Sequence, residues 1–189
     1  MKKNWIIQKL NKKTVKSTVD NREYEVRDLP DSLDAANLLA DISDKLTKLV
    51  EYVVSSKPDR DGVQQLKRNF NSRNIIENTR GGKYTAYSVN KGEQLALCLR
   101  DAKDDTFIEL NLIIFVAIHE IAHVMTDEVG HTKKFWNNMR YLLEEGEKIP
   151  TDLSKFDAMF CMGGPMDTWM EKEHPWLVDE KKAIKEFVV

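Results

Sequence analysis

The chain lacks most of what would place it outside the ordinary folded domains. Two cysteines, Cys98 and Cys161, are too few for a disulfide framework. Five prolines and eight glycines in 189 residues exclude a collagenous or linker-like chain. The longest uninterrupted apolar run, residues 112–118, falls far short of the roughly 20 residues that span a bilayer, so no membrane partner is expected. The opening MKKNWIIQKLNKK has no apolar stretch of the kind a secretion signal needs, which points to an intracellular protein, cytoplasmic or nuclear. An excess of one charge is missing too, since 29 Lys and Arg oppose 31 Asp and Glu for a net charge of -2.

What is present is a globular composition, 41% hydrophobic and 32% charged, at a length that fits one domain. No repeat, low-complexity tract or linker divides it, so residues 1–189 read as a single domain. The near-neutral total hides an uneven distribution. Residues 1–27 and residues 57–91 each hold eight basic and three acidic side chains, whereas residues 144–189 hold six basic against eleven acidic. If the two basic segments meet in space they make a patch for a phosphate backbone, and DNA becomes a candidate partner.

The apolar spacing predicts an α+β fold. WIIQKL, KTVKSTV and YEV read as strands, with a turn at Asp20-Asn21 before the last. Pro30-Asp31-Ser32 opens a helix on which Leu33, Ala36, Leu39, Ala40, Leu46, Leu49, Val50 and Val53 recur at helical spacing, up to a break at residues 55–58. Residues 59–83 are polar, with one short helix at 63–70 followed by loop. YTAYSV and LALCLR flank Asn90-Lys91-Gly92-Glu93 as a hairpin. The second of these strands either offers an edge to an extended substrate or packs in the core. Thr106 and Glu109 match a capping box, and the helix they open is apolar on nearly every side, so it belongs at the centre of the molecule. Another helix over 132–147 turns Phe135, Met139, Leu142 and Leu143 inward, and a last one covers 176–187.

The central helix runs into His119-Glu120-Ile121-Ala122-His123, an H-E-x-x-H sequence. Residues four apart share a helical face, so both imidazoles can chelate one metal ion while Glu120 projects beside them. That donor set suits Zn2+, and a catalytic zinc site takes three protein ligands and keeps a position for water. Without a metal, an apolar helix would desolvate two imidazoles and a carboxylate uncompensated. For the third ligand His131 is the foremost candidate. Three of the four histidines fall between positions 119 and 131, and Gly130 can take the positive φ that turns the chain back over the motif. The metzincin spacing is not met, because its glycine would fall on Thr126 and its third histidine on Val129. A glutamate ligand on a later helix, Glu144, Glu145 or Glu147, stays open.

HEIAHVMTDEVGHTKKFW resembles the WLM and SprT-like metallopeptidases, which act on DNA-protein crosslinks and include small members in large DNA viruses. The strand ending in LCLR ahead of the motif and FWNNMRYLLEEGEKI behind it are similar to that family as well. The likeness covers residues 84–165, the implied catalytic core, with residues 1–83 as N-terminal strands and a helix packed on it. It implies a zincin-like (minigluzincin-type) domain, a small antiparallel or mixed sheet packed on the buried H-E-x-x-H helix. It also implies His119, His123 and His131 as zinc ligands and Glu120 as general base. The implied activity is that of a zinc-dependent endopeptidase acting on protein or peptide substrates, DNA-associated proteins among them. Where members of the family often have Gly-Pro after the third ligand, this chain has Thr132-Lys133.

Peptide hydrolysis also needs a donor for the tetrahedral oxyanion, and Tyr84, Tyr87, Arg100, Arg140, Tyr141 and His174 are all candidates. Phe135 and Trp136 read as packing for the helix after His131. Cys161 reads as a small buried hydrophobe and His174 as a surface residue. Two other functions fit the same motif. A DNA- or protein-binding module with structural zinc calls for a fourth protein ligand. A zinc aminopeptidase or amidase calls for a closed pocket in place of a through-running cleft.

Overall fold

The computed structural model describes residues 12–79, 86–89 and 92–149, all within one compact unit, Met1–Lys155. The expected strand WIIQKL, the expected helix over 176–187, Tyr84, Cys161 and His174 lie outside the described residues.

Strands β1 (Lys12–Lys16) and β2 (Glu23–Arg27) form an antiparallel ribbon. The turn between them places Asn21 at φ 61°, a left-handed conformation that asparagine tolerates because its short polar side chain bonds locally. Tyr24 and Val26 point into the core while their neighbours face solvent, the period-2 pattern of a half-buried strand. Helix α1 (Ser32–Ser56) buries Ala36, Leu39, Leu46, Leu49 and Val53 along one face; Leu33, expected there, is exposed. Helix α2 (Val63–Asn69) follows.

A 3-10 turn at Ser72–Asn74 then leads into β3 (Ile75–Glu77), a fully buried strand where the sequence predicts loop. β3 runs parallel to β5 (Gln94–Leu97), and β5 pairs antiparallel on its other side with β4 (Ala86–Val89). The order β3-β5-β4 makes a mixed sheet in which β5 is central and, among the described residues, β4 lies at an edge. Of the two roles open to LALCLR, an edge for substrate or packing in the core, the second is the one observed: β3, arriving from twenty residues upstream, pairs along its other side. Leu95 and Leu97 are buried on one face of β5 and Ala96 on the other.

Arg100, 3% exposed, closes the region between the sheets. Its Nε donates to Glu77 Oε1 at 2.9 Å, and Nη1 and Nη2 donate to the two oxygens of Asp31 at 2.6 and 2.9 Å. The other oxygen of Glu77 accepts the Arg27 backbone N–H at 2.7 Å. The buried charges are thus paired and hydrogen-bonded, the condition for tolerating them.

Helix α3 (Leu110–Met125) carries the H-E-x-x-H motif and packs against α1, α2, β4 and β5. The expected capping box does not form. Asp104 Oδ1 accepts both the N–H and the hydroxyl of Thr106. The chain then stays extended, bridging Phe107 to Arg100 and bonding Ile108 N–H to Leu99 O. The helix therefore starts only after Glu109, whose side chain makes no cap bond. Helix α4 (Lys133–Glu147) is capped as expected of a threonine, with Thr132 Oγ1 accepting the Phe135 N–H at 3.3 Å. Among the described residues, no helix is long and apolar enough to cross a membrane.

Candidate metal centre

α3 delivers His119 and His123 one turn apart on one face. The chain leaves the helix at Thr126, which is extended at φ -104° and ψ 125°. It turns back through Gly130 at φ 87°, where an added Cβ would meet nothing within 4 Å. Glycine is present for its conformational freedom and not for lack of room. His131 thereby returns to the motif. Its ring centroid lies 4.9 Å from that of His119 and 5.0 Å from that of His123, which are themselves 4.9 Å apart.

The candidate ligand nitrogens of the three histidines all lie within 4.8 Å of one another, and His119 Nε2 and His131 Nε2 approach to 3.0 Å. Tetrahedral ligands at zinc–nitrogen distances of 2.0–2.1 Å stand about 3.3 Å apart, so the donor set fits a zinc-like ion. Among the described residues this is the one group of His, Cys, Asp or Glu that can hold a metal ion, and it includes no fourth residue. Glu144, Glu145 and Glu147 do not join it; Glu145 instead accepts Lys148 Nζ at 2.7 Å.

Phe135 is fully buried and touches all three imidazoles. Its ring stacks on His123 at 4.2 Å and meets His119 and His131 edge-on at 4.9 and 4.8 Å. Packing was its expected role, yet the ring is more specifically a common wall of the cluster. Trp136 lies 5.7 Å from His131 on the outer side.

Burial sets the protonation of the site. The His119 imidazolium is destabilised by desolvation first and by the neighbouring His123 and His131 next, which brings its pKa down to about 4. The ring is neutral at physiological pH, the form that coordinates a metal. Its Nδ1 is buried and has no hydrogen-bond partner among the described residues. Burial pushes the Glu120 carboxyl up to about 7, opposed by a hydrogen bond from the Ser88 backbone N–H. Ser88 lies on the edge strand β4. No sequence rule marks it, because the contributing group is a backbone amide; the only clue was that the hairpin precedes the motif helix.

Several oxyanion candidates change standing. Arg100 is committed to Asp31 and Glu77 and is buried away from solvent, so it is withdrawn. Tyr141 is covered by Arg60, whose guanidinium carbon sits 3.8 Å from the ring centroid. Tyr87 on β4 and Arg140 on α4 are exposed. The two basic segments do touch: Arg22 and Arg73 line one cavity of about 360 Å³ with Glu23 and Tyr24, although Asp20 already pairs with Arg22.

Two histidines on a helix, a third returned by the following loop and a buried carboxylate among them define a metallopeptidase-like site on an α+β scaffold. The WLM domain model matches residues 20–166, and the chain belongs to the WLM family. Its relatives include an uncharacterized protein of Acanthamoeba polyphaga mimivirus, 34% identical over 155 residues that cover 77% of each chain. An uncharacterized protein of Invertebrate iridescent virus 6 is 28% identical over 145 residues, 73% of this chain and 80% of that one. Among solved structures, Wss1 from Saccharomyces cerevisiae is 26% identical and aligns over 62% of this chain and 80% of its own, with a TM-score of 0.47. The family resemblance read from the motif and the kinship with proteins of large DNA viruses both hold.

Proposed function

We propose that the protein is a zinc-dependent endopeptidase with a zincin-like catalytic domain. The observation that carries this reading is the convergence of three imidazoles with Glu120 buried beside them. His119, His123 and His131 would hold the ion, which when bound supplies an activated water and a polarised carbonyl. Glu120, buried next to His119 and held by the Ser88 amide, accepts the proton of the attacking water and returns it to the leaving amine. The Ser88 N–H orients the carboxylate for both transfers. Phe135 closes the site from behind, packed against all three rings.

Among the described residues β4 lies at an edge of its sheet, and it reaches Glu120 through Ser88. An extended peptide added to that edge would pass the base without presenting a chain end, which supports endopeptidase action over an aminopeptidase or amidase. DNA-associated proteins within the cell are the substrate class in the finer form of this proposal, supported by the meeting of the basic segments at Arg22 and Arg73.

The test is zinc content together with cleavage of casein or histone, with and without single-stranded DNA, for the native chain beside Glu120→Gln. Both proteins are expected to hold zinc, with cleavage falling about 10²- to 10⁴-fold in the variant. Zinc in both without cleavage by either would replace the peptidase by a zinc-stabilised binding module. A native chain without zinc would overturn the metal assignment. Absence of salt-dependent DNA binding would remove DNA from the proposal.

A further inference from the structure

The loop that carries His131 is exposed along its length. Residues 127–131 are all exposed, Val129 by 90%, and Gly130 touches nothing at its open side. The two helices that the loop connects are joined beneath it by a buried polar clamp.

Thr126, which ends α3, is fully buried. Its Oγ1 donates to the Ala122 carbonyl at 2.7 Å and accepts from Asn138 Nδ2 at 3.0 Å. Asn138 sits on the buried face of α4, 3% exposed, in a row with Phe135, Met139 and Leu142. Its Oδ1 accepts from Arg60 Nη1 at 2.8 Å, and the Arg60 guanidinium stacks on Tyr141. A continuous chain of hydrogen bonds thus runs from Arg60 through Asn138 and Thr126 to the carbonyl just before His123. It crosses the base of the loop and fixes the end of α3 against α4. An amide in an otherwise apolar row is costly unless its bonds are made, and both of its polar atoms are used. A second tie, Lys134 bridging Asp61 and Asp127 at 2.8 Å each, involves exposed carboxylates and contributes little.

We infer that Asn138 is a positioning residue for His131, setting through Thr126 the distance at which the third imidazole meets the other two. The inference rests on the zinc reading above. Asn138→Leu and Thr126→Val each remove one partner while keeping the branching of the side chain. Each is expected to weaken zinc binding roughly tenfold, the factor that corresponds to about one buried hydrogen bond lost from the support of the loop. The double variant is expected to lose no more than either single one, because both break the same bond.

Zinc affinity is read by competition with a chromophoric chelator, coordination by the absorption of the cobalt-substituted protein, and folding by the thermal midpoint of the metal-free protein. Ser43→Ala is the control: Ser43 is equally buried and donates to the Ser72 carbonyl at 3.0 Å, in a contact between α1 and the 3-10 turn. It should lower the midpoint and leave zinc affinity unchanged. If Asn138→Leu does not fold, Thr126→Val carries the test. Native zinc affinity in the clamp variants, or an equal loss in Ser43→Ala, overturns the positioning role while the zinc reading stands. A native chain that binds no zinc removes both.

Discussion

At the scale of single residues, the site works by opposing pulls on Glu120. Desolvation penalises its charge and drives the carboxyl up to about 7, while the Ser88 amide favours the ionised form and aims it. Proline at position 88 would delete that donor with little harm to the strand. The amide donates to Glu120, and prolines within sheets are tolerated on edge strands, where β4 lies among the described residues. Ser88→Pro is expected to lower the rate constant of peptide cleavage about tenfold or more, from the ~1.5 kcal/mol a hydrogen bond to a charged group contributes. Zinc content should not change, and Ser88→Ala, which keeps the donor, is the reference for the altered side chain. Native turnover in the proline variant would take Ser88 out of the mechanism.

At the scale of elements, the placement of α3 depends on how closely α2 approaches its end. Gly62, which precedes α2, has φ 84°, and a Cβ there would lie 2.3 Å from the Met125 backbone oxygen. Gly130 shares the left-handed conformation but has open space around it. Alanine at Gly130 meets only the backbone penalty, about 1–2 kcal/mol. Alanine at Gly62 adds a backbone clash. Thermal unfolding should show Gly130→Ala lowered by roughly 2–8 °C, at 2–4 °C per kcal/mol for a chain of this size, and Gly62→Ala lowered further. Equal midpoints would contradict the tight approach of α2 to α3.

The elements also mark where sequence reading succeeds. α1 and α4 were legible because a 3.6-residue apolar period is a local signal, and α3 because a long apolar run leads into a helix-spaced H-E-x-x-H. β3 was not, since three residues carry no period and its partner, from Ile75↔Leu95 onward, lies twenty positions away. The capping box misled because Asp104 captures Thr106 first, a competition between two local hydrogen bonds that spacing does not rank.

At the scale of the whole molecule, the Arg100 network joins the β1–β2 ribbon, the start of α1, β3 and the segment after β5. The hydrogen bond from Arg100 holds the Asp31 carboxyl below its ordinary value of 3.8. A carboxyl with a depressed folded-state pKa stabilises the fold above its unfolded pKa and loses that contribution as pH falls through the folded value. Urea midpoints of the native chain should therefore decline from about pH 4 downward. Asp31→Asn should begin less stable at neutral pH and converge on the native curve in acid. A constant gap between the two curves across this range would show that Asp31 does not titrate with unfolding.

The sequence by itself determined the family, the α+β class, the main helices and the cluster of three histidines with Glu120. All of these are written within one helical period or within the thirteen residues from His119 to His131. Only the tertiary structure decided that β5 is the central strand with β4 at an edge among the described residues, that Arg100 belongs to an ion network, and that Phe135 touches every ring of the cluster. It also decided that a backbone amide reaches Glu120 and that Asn138 closes the base of the loop. Each of these depends on pairing between segments brought together by burial, where the partner is chosen by the packing of the whole chain and leaves no period or spacing to read.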